Sequence, residues 1–401
     1  MTSSRTVRDR LLNLGHFVDH MMMLIYTTAV IAIAAEQGRS YGEMIALATP
    51  GFILFGALSL PFGWLGDRYG RRDLMVVFFV GIGAAAIATG LADSTWQLAL
   101  GLGLIGACAA IYHPIGIPML VSGLSLPGRV IGLNGVFGNL GVAAAPLAAG
   151  LLIAASGWRA AFIAPGVVSI ALGVVFWRTV AREAPPARPA DVSQSRFEGF
   201  QPGWLGVLLV VGMVTLAGGI IFNTTTVVLP KLLEERPAFG ASEVVGYSAL
   251  ASLIYALASM AQIASGRAVD RVSAKWLLAG LIGAQAVAIS LLSVATGPAV
   301  FVVSLVMMLA VFGQIPVVDT IVTRYVPDHF RGRVFSLKYL LNLTVGAAAV
   351  PMIAVFHTSW GGFPALFASL GATALAAALV TAALLRPAAP ATPTGAAAGG
   401  G

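Results

Sequence analysis

The chain has 401 residues, of which 58% are hydrophobic and only 10% are charged, and its mean hydropathy is +0.91. A soluble domain carries about 25% charged residues, and a fold in water would aggregate with so much apolar surface uncovered. The composition therefore excludes an ordinary soluble enzyme or binding module and predicts an all-α protein embedded in a lipid bilayer. The net charge of +7 comes from basic residues scattered over short loops, so we expect no nucleic-acid partner.

Apolar runs that are long enough to cross a bilayer occupy most of the chain. A spanning helix needs about 20 mostly apolar residues. Twelve such runs lie near 14–35, 43–63, 73–93, 96–120, 129–154, 158–179, 203–228, 242–266, 275–296, 298–321, 334–356 and 363–386. The first run is long and no small-residue cleavage site follows it, so we expect a retained helix rather than a signal peptide.

The runs are predicted to form two related halves of six helices each. Gly63-Trp64-Leu65-Gly66-Asp67-Arg68 recurs 203 positions later as Gly266-Arg267-Ala268-Val269-Asp270-Arg271. Gly128-Arg129-Val130 recurs 204 positions later as Gly332-Arg333-Val334. Such a constant displacement is typical of a duplicated bundle. The predicted domains are residues 1–179 and 203–386, with a Pro- and charge-rich linker at 180–202 and a low-complexity, disordered tail at 387–401.

The distribution of basic residues predicts the orientation of the chain in the membrane. Of the 23 Lys and Arg residues, all except Arg39, Arg159, Lys231 and Arg236 fall on the same side as the N-terminus. Basic residues are enriched in cytoplasmic loops. We therefore expect a multi-pass protein of the bacterial inner membrane with both termini in the cytoplasm.

A motif rich in Gly and Arg lies in the loop after the second run, as Gly63-Trp64-Leu65-Gly66-Asp67-Arg68-Tyr69-Gly70-Arg71-Arg72. Its glycines allow a tight turn, and its aspartate can accept hydrogen bonds from arginine. The pattern resembles the cytoplasmic signature of the major facilitator superfamily, and the alternative is a plain basic turn. In that family the loop latches the two halves in the outward-facing state. The resemblance implies a latch formed by Gly63, Asp67, Arg68, Gly70, Arg71 and Arg72, with Gly266, Asp270 and Arg271 as its second-half counterpart.

Two further features resemble particular branches of this superfamily. The fifth run is similar to the signature of drug–proton antiporters, except that Ala145-Pro146 stands where that signature has Gly-Pro. The segments Gly15-His16-Phe17-Val18-Asp19-His20 and Tyr112-His113-Pro114 together resemble the fosmidomycin-resistance-like branch. The second resemblance implies export of a drug or metabolite without identifying the compound.

Ionisable residues inside the apolar runs are candidates for function, because they are costly in lipid. His16, Asp19 and His20 lie in the first run, His113 in the fourth and Asp319 in the tenth. Helices one, four, seven and ten line the cavity in the superfamily, which implies that these residues converge. We expect them to couple protons or to bind substrate. The alternative is local hydrogen bonding for Asp19 and an interfacial position for His16 and His20.

Uncharged polar and aromatic residues within the runs are candidates for the substrate cavity. They are Tyr26, Tyr112, Asn223, Gln314 and Asn342. Each can contact a solute, and each can equally join neighbouring helices. Lys338, at the start of the eleventh run, is expected to extend its ammonium group to the interface.

Motifs for other chemistries are missing from the sequence. There is no Gly-x-x-x-x-Gly-Lys-Ser/Thr loop, no Cys/His metal spacing and no dinucleotide fingerprint, so we expect no enzyme activity, no metal and no cofactor. We expect a monomeric secondary transporter that exports a drug or metabolite with proton coupling. Two alternatives are open: proton-coupled uptake of an organic anion or metabolite, and a membrane sensor or assembly protein that transports nothing.

Overall fold

The computed structural model of the protein describes residues 2–122, 128–182 and 199–385. Over these ranges the chain forms fifteen helices and no strand. Eleven helices are long and apolar enough to cross a membrane, or twelve if the bent pair 41–57 and 59–69 counts as one span. The prediction of an all-α membrane protein with twelve spans is therefore confirmed.

The first half contains nine helices, because two of its predicted spans are interrupted. The helices are α1 (Thr2–Gln37), α2 (Tyr41–Ala46), α3 (Thr49–Ala57), α4 (Ser59–Tyr69), α5 (Arg72–Gly90), α6 (Thr95–Ala109), α7 (Tyr112–Val121), α8 (Gly128–Ser156) and α9 (Trp158–Thr179). Pro61 and Pro114 each lie in the first turn after an interruption, where they have no N–H to donate to the preceding helix. The second predicted span bends by 42° at the break between α3 and α4.

The second half contains one helix for each predicted span. These are α10 (Trp204–Glu235), α11 (Val244–Ala268), α12 (Ala274–Leu292), α13 (Pro298–Tyr325), α14 (Asp328–Ser359) and α15 (Gly362–Leu384). Most of the predicted linker at 180–202 and all of the predicted tail at 387–401 lie outside the described residues, so the bounds of the two domains stay predictions.

The repeat found in the sequence is also a repeat of contacts between helices. Gly63 on α4 lies against Pro114 on α7, and Gly266 on α11 lies against Pro316 on α13. The two glycines are 203 positions apart and the two prolines 202 positions apart. The same glycine–proline contact therefore joins the second and fourth spans of each half.

Because the spans alternate in direction, the start of α1, the end of α15 and the loop at 70–71 share one end of the bundle, which we call the basic face. The two halves contact each other towards the opposite face, where α8 packs on α11, and α2 and α3 pack on α14. The backbone N–H of Leu147 donates to Ser252 Oγ at 3.0 Å in this contact. Towards the basic face the halves separate around a cavity.

Small residues set the distance between several helices, as is common in membranes. Gly106 on α6 lies directly against the backbone of Gly51 on α3. Gly83 on α5 and Gly166 on α9 pack against each other in the same way. Each of these positions excludes a side chain because a backbone oxygen of the facing helix occupies the space.

We expect Gly106→Ala to destabilise the protein, because its added Cβ would overlap the backbone oxygen of Gly51. The matched control is Gly280→Ala on α12, where a Cβ meets nothing within 4 Å among the described residues and alanine favours the helix by about 1 kcal/mol. Thermal unfolding of the detergent-purified variants should show a lower melting temperature for Gly106→Ala alone. Equal melting temperatures would contradict the close packing of α3 on α6.

Candidate functional site

A cavity of about 250 Å³ lies between the two halves, on the side of the bundle nearer the basic face. Most of its lining is apolar, and its polar side chains are divided between two walls. The first-half wall presents His16, His20, His113, Asn134 and Asn139, and the second-half wall presents Thr215, Gln262, Gln314, Lys338, Tyr339 and Asn342. Both walls therefore carry amides, but the imidazoles lie on the first wall and the lysine lies on the second.

Two histidines of α1 form a short hydrogen-bonded chain at the first wall. The Nδ1 atom of His16 lies 2.7 Å from the backbone oxygen of Asn134. A carbonyl oxygen only accepts, so Nδ1 of His16 carries a proton. In neutral His16 the Nε2 atom is then an acceptor, and it receives the Nε2 proton of His20 at 3.1 Å. The tautomers of both rings follow from this one carbonyl contact.

Asp19 lies behind this wall and is completely buried. Its Oδ2 atom is 3.5 Å from Nε2 of His113, and neither carboxylate oxygen has a hydrogen-bond partner within the described residues. A buried carboxylate without compensation costs several kcal/mol. Asp19 is therefore either protonated or balanced by a cation at His113, and His113 itself faces the cavity.

Tyr112 and Asn134 hold the histidines in place from behind. Tyr112 donates its hydroxyl to the backbone oxygen of Leu12 at 2.8 Å. The side-chain amide of Asn134 donates to Tyr112 Oη at 2.8 Å and to Asn13 Oδ1 at 2.9 Å. The ring of Tyr112 stacks on His16 with centroids 5.0 Å apart. These bonds join α1, α7 and α8, so Tyr112 supports the wall rather than lining it.

The second wall is held by an amide pair and an ion pair. Gln285 donates its side-chain amide to Gln314 Oε1 at 3.0 Å, and the amide nitrogen of Gln314, which lines the cavity, has no hydrogen-bond partner among the described residues. Lys338 forms an ion pair with Asp319 of the neighbouring α13. The expectation that Lys338 extends to the interface is thus wrong: the partly exposed carboxylate of Asp319, one helix away, holds the ammonium group at the cavity wall.

The predicted cavity residues divide into two sets. Gln314 and Asn342 line the cavity. Tyr26 does not, because its hydroxyl donates to the backbone oxygen of Met44 at 2.5 Å in a buried contact. Asn223 also lies outside the lining and donates to Gly219 of its own helix at 2.8 Å. Asn134 also lines the cavity, but it was not named as a candidate from the sequence. The signal that could have identified it is a polar amide in the first turns of the fifth apolar run.

The predicted latch residues contact one another within the first half. Asp67 accepts from Arg71 at 2.9 Å, and Arg72 donates to the backbone oxygen of Val180 at 3.0 Å. Gly70 has a φ of 96°, which favours glycine and ends α4. Among the described residues, no polar contact of Asp67, Arg71 or Arg72 reaches the second half.

The remaining latch residues lie around these. Gly63 packs on Pro114, and the guanidinium of Arg68 lies 5.5 Å from the Trp64 ring. In the second half, Asp270 lies 3.8 Å from Arg324, Gly266 packs on Pro316 and Arg271 is exposed.

The halves are joined at the opposite face by an aromatic and charged contact. Tyr41 of the first half packs on His357 and Phe363 of the second, with ring centroids 5.0 and 6.3 Å away. Lys231 lies over the Tyr41 ring at 5.6 Å, and His357 contacts Glu235 at 3.0 Å. The cavity is thus closed on this side.

The family of the chain follows from comparison with known proteins. The model of the Major Facilitator Superfamily matches residues 12–260 and 237–400. The chain belongs to the Major Facilitator Superfamily. The fold agrees: the structure of a D-xylose-proton symporter superposes with a TM-score of 0.73 at 16% identity, covering 96% of this chain and 98% of that one. The predicted family is therefore confirmed, and it is a family of transporters rather than enzymes.

Two relatives of known or assigned role give a context for function. The chain is 27% identical to the probable actinorhodin transporter of Streptomyces coelicolor over 60% of its length, and spans 47% of that protein. It is 26% identical to the multidrug resistance protein MdtG of Yersinia enterocolitica, over 78% of this chain and 76% of that protein. The chain thus spans about half the length of the first relative.

We expect Asn134→Ala to loosen the first wall, because it removes two side-chain hydrogen bonds from a buried site. The cost should be about 1–3 kcal/mol, measured as a lower melting temperature. Asn139→Ala is the matched control, since Asn139 lies on the same helix and cavity but has no hydrogen-bond partner among the described residues. If the two variants have the same melting temperature, the hydrogen bonds of Asn134 do not support the wall.

Proposed function

We propose that this chain is a secondary transporter that moves a small solute by alternating access and couples the movement to protons. The observation that carries the proposal is Asp19, a fully buried carboxyl without a hydrogen-bond partner, 3.5 Å behind a histidine that faces the cavity. Ionisable groups in such positions mark proton relays. The fold supports a cavity that opens to one side at a time.

The asymmetry of contacts supports an inward-facing state. The basic face carries the loops in which Lys and Arg are concentrated, so it is the cytoplasmic side of a bacterial inner membrane with both termini inside. The cavity lies towards that side, and the contact of Tyr41 with His357 closes the other. Within the part of the chain that the structure describes, Asp67, Arg71 and Arg72 make no polar contact with the second half, as expected for a latch that engages only when the cytoplasmic side closes.

Proton coupling is assigned to the first wall. His113 is the route between the cavity and Asp19, because histidine exchanges protons readily near neutral pH and lies within reach of both. Protonated Asp19 is neutral and needs no counter-charge. Asp319, in contrast, is already balanced by Lys338, so its role is to position Lys338 for an anionic or polar part of the solute.

Export of a drug or metabolite is the favoured direction. The relatives named for actinorhodin and for multidrug resistance support this choice, together with the mostly apolar cavity, which suits an apolar or amphipathic solute. Uptake of an organic anion is the second candidate, favoured by Lys338 at the cavity wall. We expect the chain to work as a monomer in the bilayer, with no nucleic-acid partner.

We expect Asp19→Asn to abolish proton coupling, because the amide cannot release a proton. An efflux-deficient bacterial host that produces the chain should gain resistance to at least one compound in a panel of antibiotics, including a phosphonate, and the variant should lose it at matched expression. Asp93→Asn is the control, since Asp93 is an exposed carboxylate that pairs with Arg159. Full protection by Asp19→Asn would contradict the assigned role.

We expect Asp67→Asn to slow transport while expression stays normal, because the latch loses the negative charge that pairs with Arg71. The initial rate of transport in proteoliposomes is the measurement, with Asp93→Asn again as the control. Initial rates equal to those of the wild type would remove Asp67 from the conformational cycle. The effect should appear in the rate and not in the apparent affinity, since Asp67 lies outside the cavity.

A further inference from the structure

Three of the five histidines of the chain meet at one point of the cavity wall. We propose that His16, His20 and His113 form a binding site for a divalent transition-metal ion, zinc above all, that is open to the cavity. Sequence spacing does not indicate this site, because His16 and His20 lie on α1 and His113 lies 93 positions after His20, on α7. The proposal depends on the geometry of the cluster and not on the direction of transport.

The spacing of the ring nitrogens fits a metal ion. One ligand nitrogen from each histidine lies within 4.8 Å of the others, and the Nε2 atoms of His16 and His20 are 3.1 Å apart. Zinc–nitrogen bonds of about 2.0–2.1 Å in tetrahedral geometry place two ligand nitrogens about 3.3–3.4 Å apart. The pair on α1 therefore needs almost no movement, and His113 needs a small rotation of its side chain.

Two of the three rings have outer neighbours of the kind that metal-binding histidines use. Such a histidine donates its second N–H to a carboxylate or a backbone carbonyl. His16 has the backbone oxygen of Asn134 at Nδ1, 2.7 Å away, and leaves Nε2 for the ion. His113 has Oδ2 of Asp19 at 3.5 Å from Nε2, and leaves Nδ1. The otherwise unpartnered carboxylate then supplies one negative charge against a dication.

The site has three protein ligands, so a fourth position is left. Zinc sites with three protein ligands and one open position exchange the fourth ligand readily. Here the three rings line the cavity, and the fourth position faces it. Water fills that position in the absence of a solute. If the proposed function holds, an oxygen atom of an anionic solute takes it, with Lys338 on the facing wall.

The test is metal binding by the purified full chain in lipid nanodiscs. The protein carries a streptavidin-binding tag, because a polyhistidine tag would bind zinc itself, and a chelator removes metal before titration. Calorimetry with zinc chloride should show one ion per chain. Cobalt should give the strong visible absorption of a four-coordinate ion.

The variants are chosen for partly exposed ligands that tolerate change. We expect His20→Gln and His113→Gln each to lower zinc affinity at least tenfold, and Asp19→Asn to lower it about 10–100-fold, as loss of an outer partner does. His357→Gln is the matched control, because that histidine lies at the opposite face, far from the cluster.

The proposal fails if the wild type binds no zinc in a saturable manner. It also fails if the double variant His20→Gln/His113→Gln keeps the wild-type stoichiometry, or if His357→Gln weakens binding as much as His20→Gln does. Transport is measured separately on the same preparations. A chain that transports but binds no zinc therefore rejects the metal site and leaves the proposed function intact.

Discussion

In a lipid bilayer the backbone N–H and C=O groups of a spanning segment find no water, so the protein itself must satisfy them. This constraint keeps most of the chain helical and decides where a helix can be interrupted. The break between α6 and α7 falls at Ala110 and Ile111, which are each 1% exposed. Neighbouring helices rather than lipid thus surround the carbonyl group that Pro114 leaves without its donor. The break is followed directly by Tyr112 and His113, so it also sets the direction in which these two side chains leave the helix.

The close packing of the helices and the polar cluster depend on each other. Gly138 of α8 lies directly against the ring of His16, and Gly15 and Gly116 leave room for the ring of Tyr112. These glycines allow α1, α7 and α8 to approach until Asn134 reaches Asn13 and Tyr112. Small residues in a membrane helix are usually explained by packing alone. Here they also hold the imidazole rings in defined orientations at the cavity.

Most of the fold could be predicted from the sequence, and the site only in part. The lengths of the apolar runs predicted the membrane spans, and the near-constant spacing between the recurring motifs predicted the repeat. Both are properties of the linear sequence. The convergence of Asp19 and His113 was expected from a family resemblance. The sequence does not show which way a side chain points around its helix. Tyr26 was therefore expected in the cavity, although its hydroxyl donates a hydrogen bond to the backbone oxygen of Met44 in a buried contact. The partner of Lys338 was missed for the same reason: Asp319 lies 19 positions earlier, on another helix.

The two walls of the cavity differ in how their charges are balanced, and this difference decides where a mobile cation belongs. On the second wall, Asp319 and Lys338 balance each other, so this wall has no need of an ion or a proton. On the first wall, the carboxyl of Asp19 is buried at 0% exposure and its nearest basic group is a histidine, which is charged only when protonated. A proton at Asp19 or His113 removes the imbalance, and so does a divalent metal held by the three rings. Protons on the imidazoles compete with the metal for the ring nitrogen atoms, because imidazole binds metal in its neutral form. If the proposed function and the proposed metal site both hold, this wall exchanges one cation for another, which is the elementary step that an ion-coupled transporter requires.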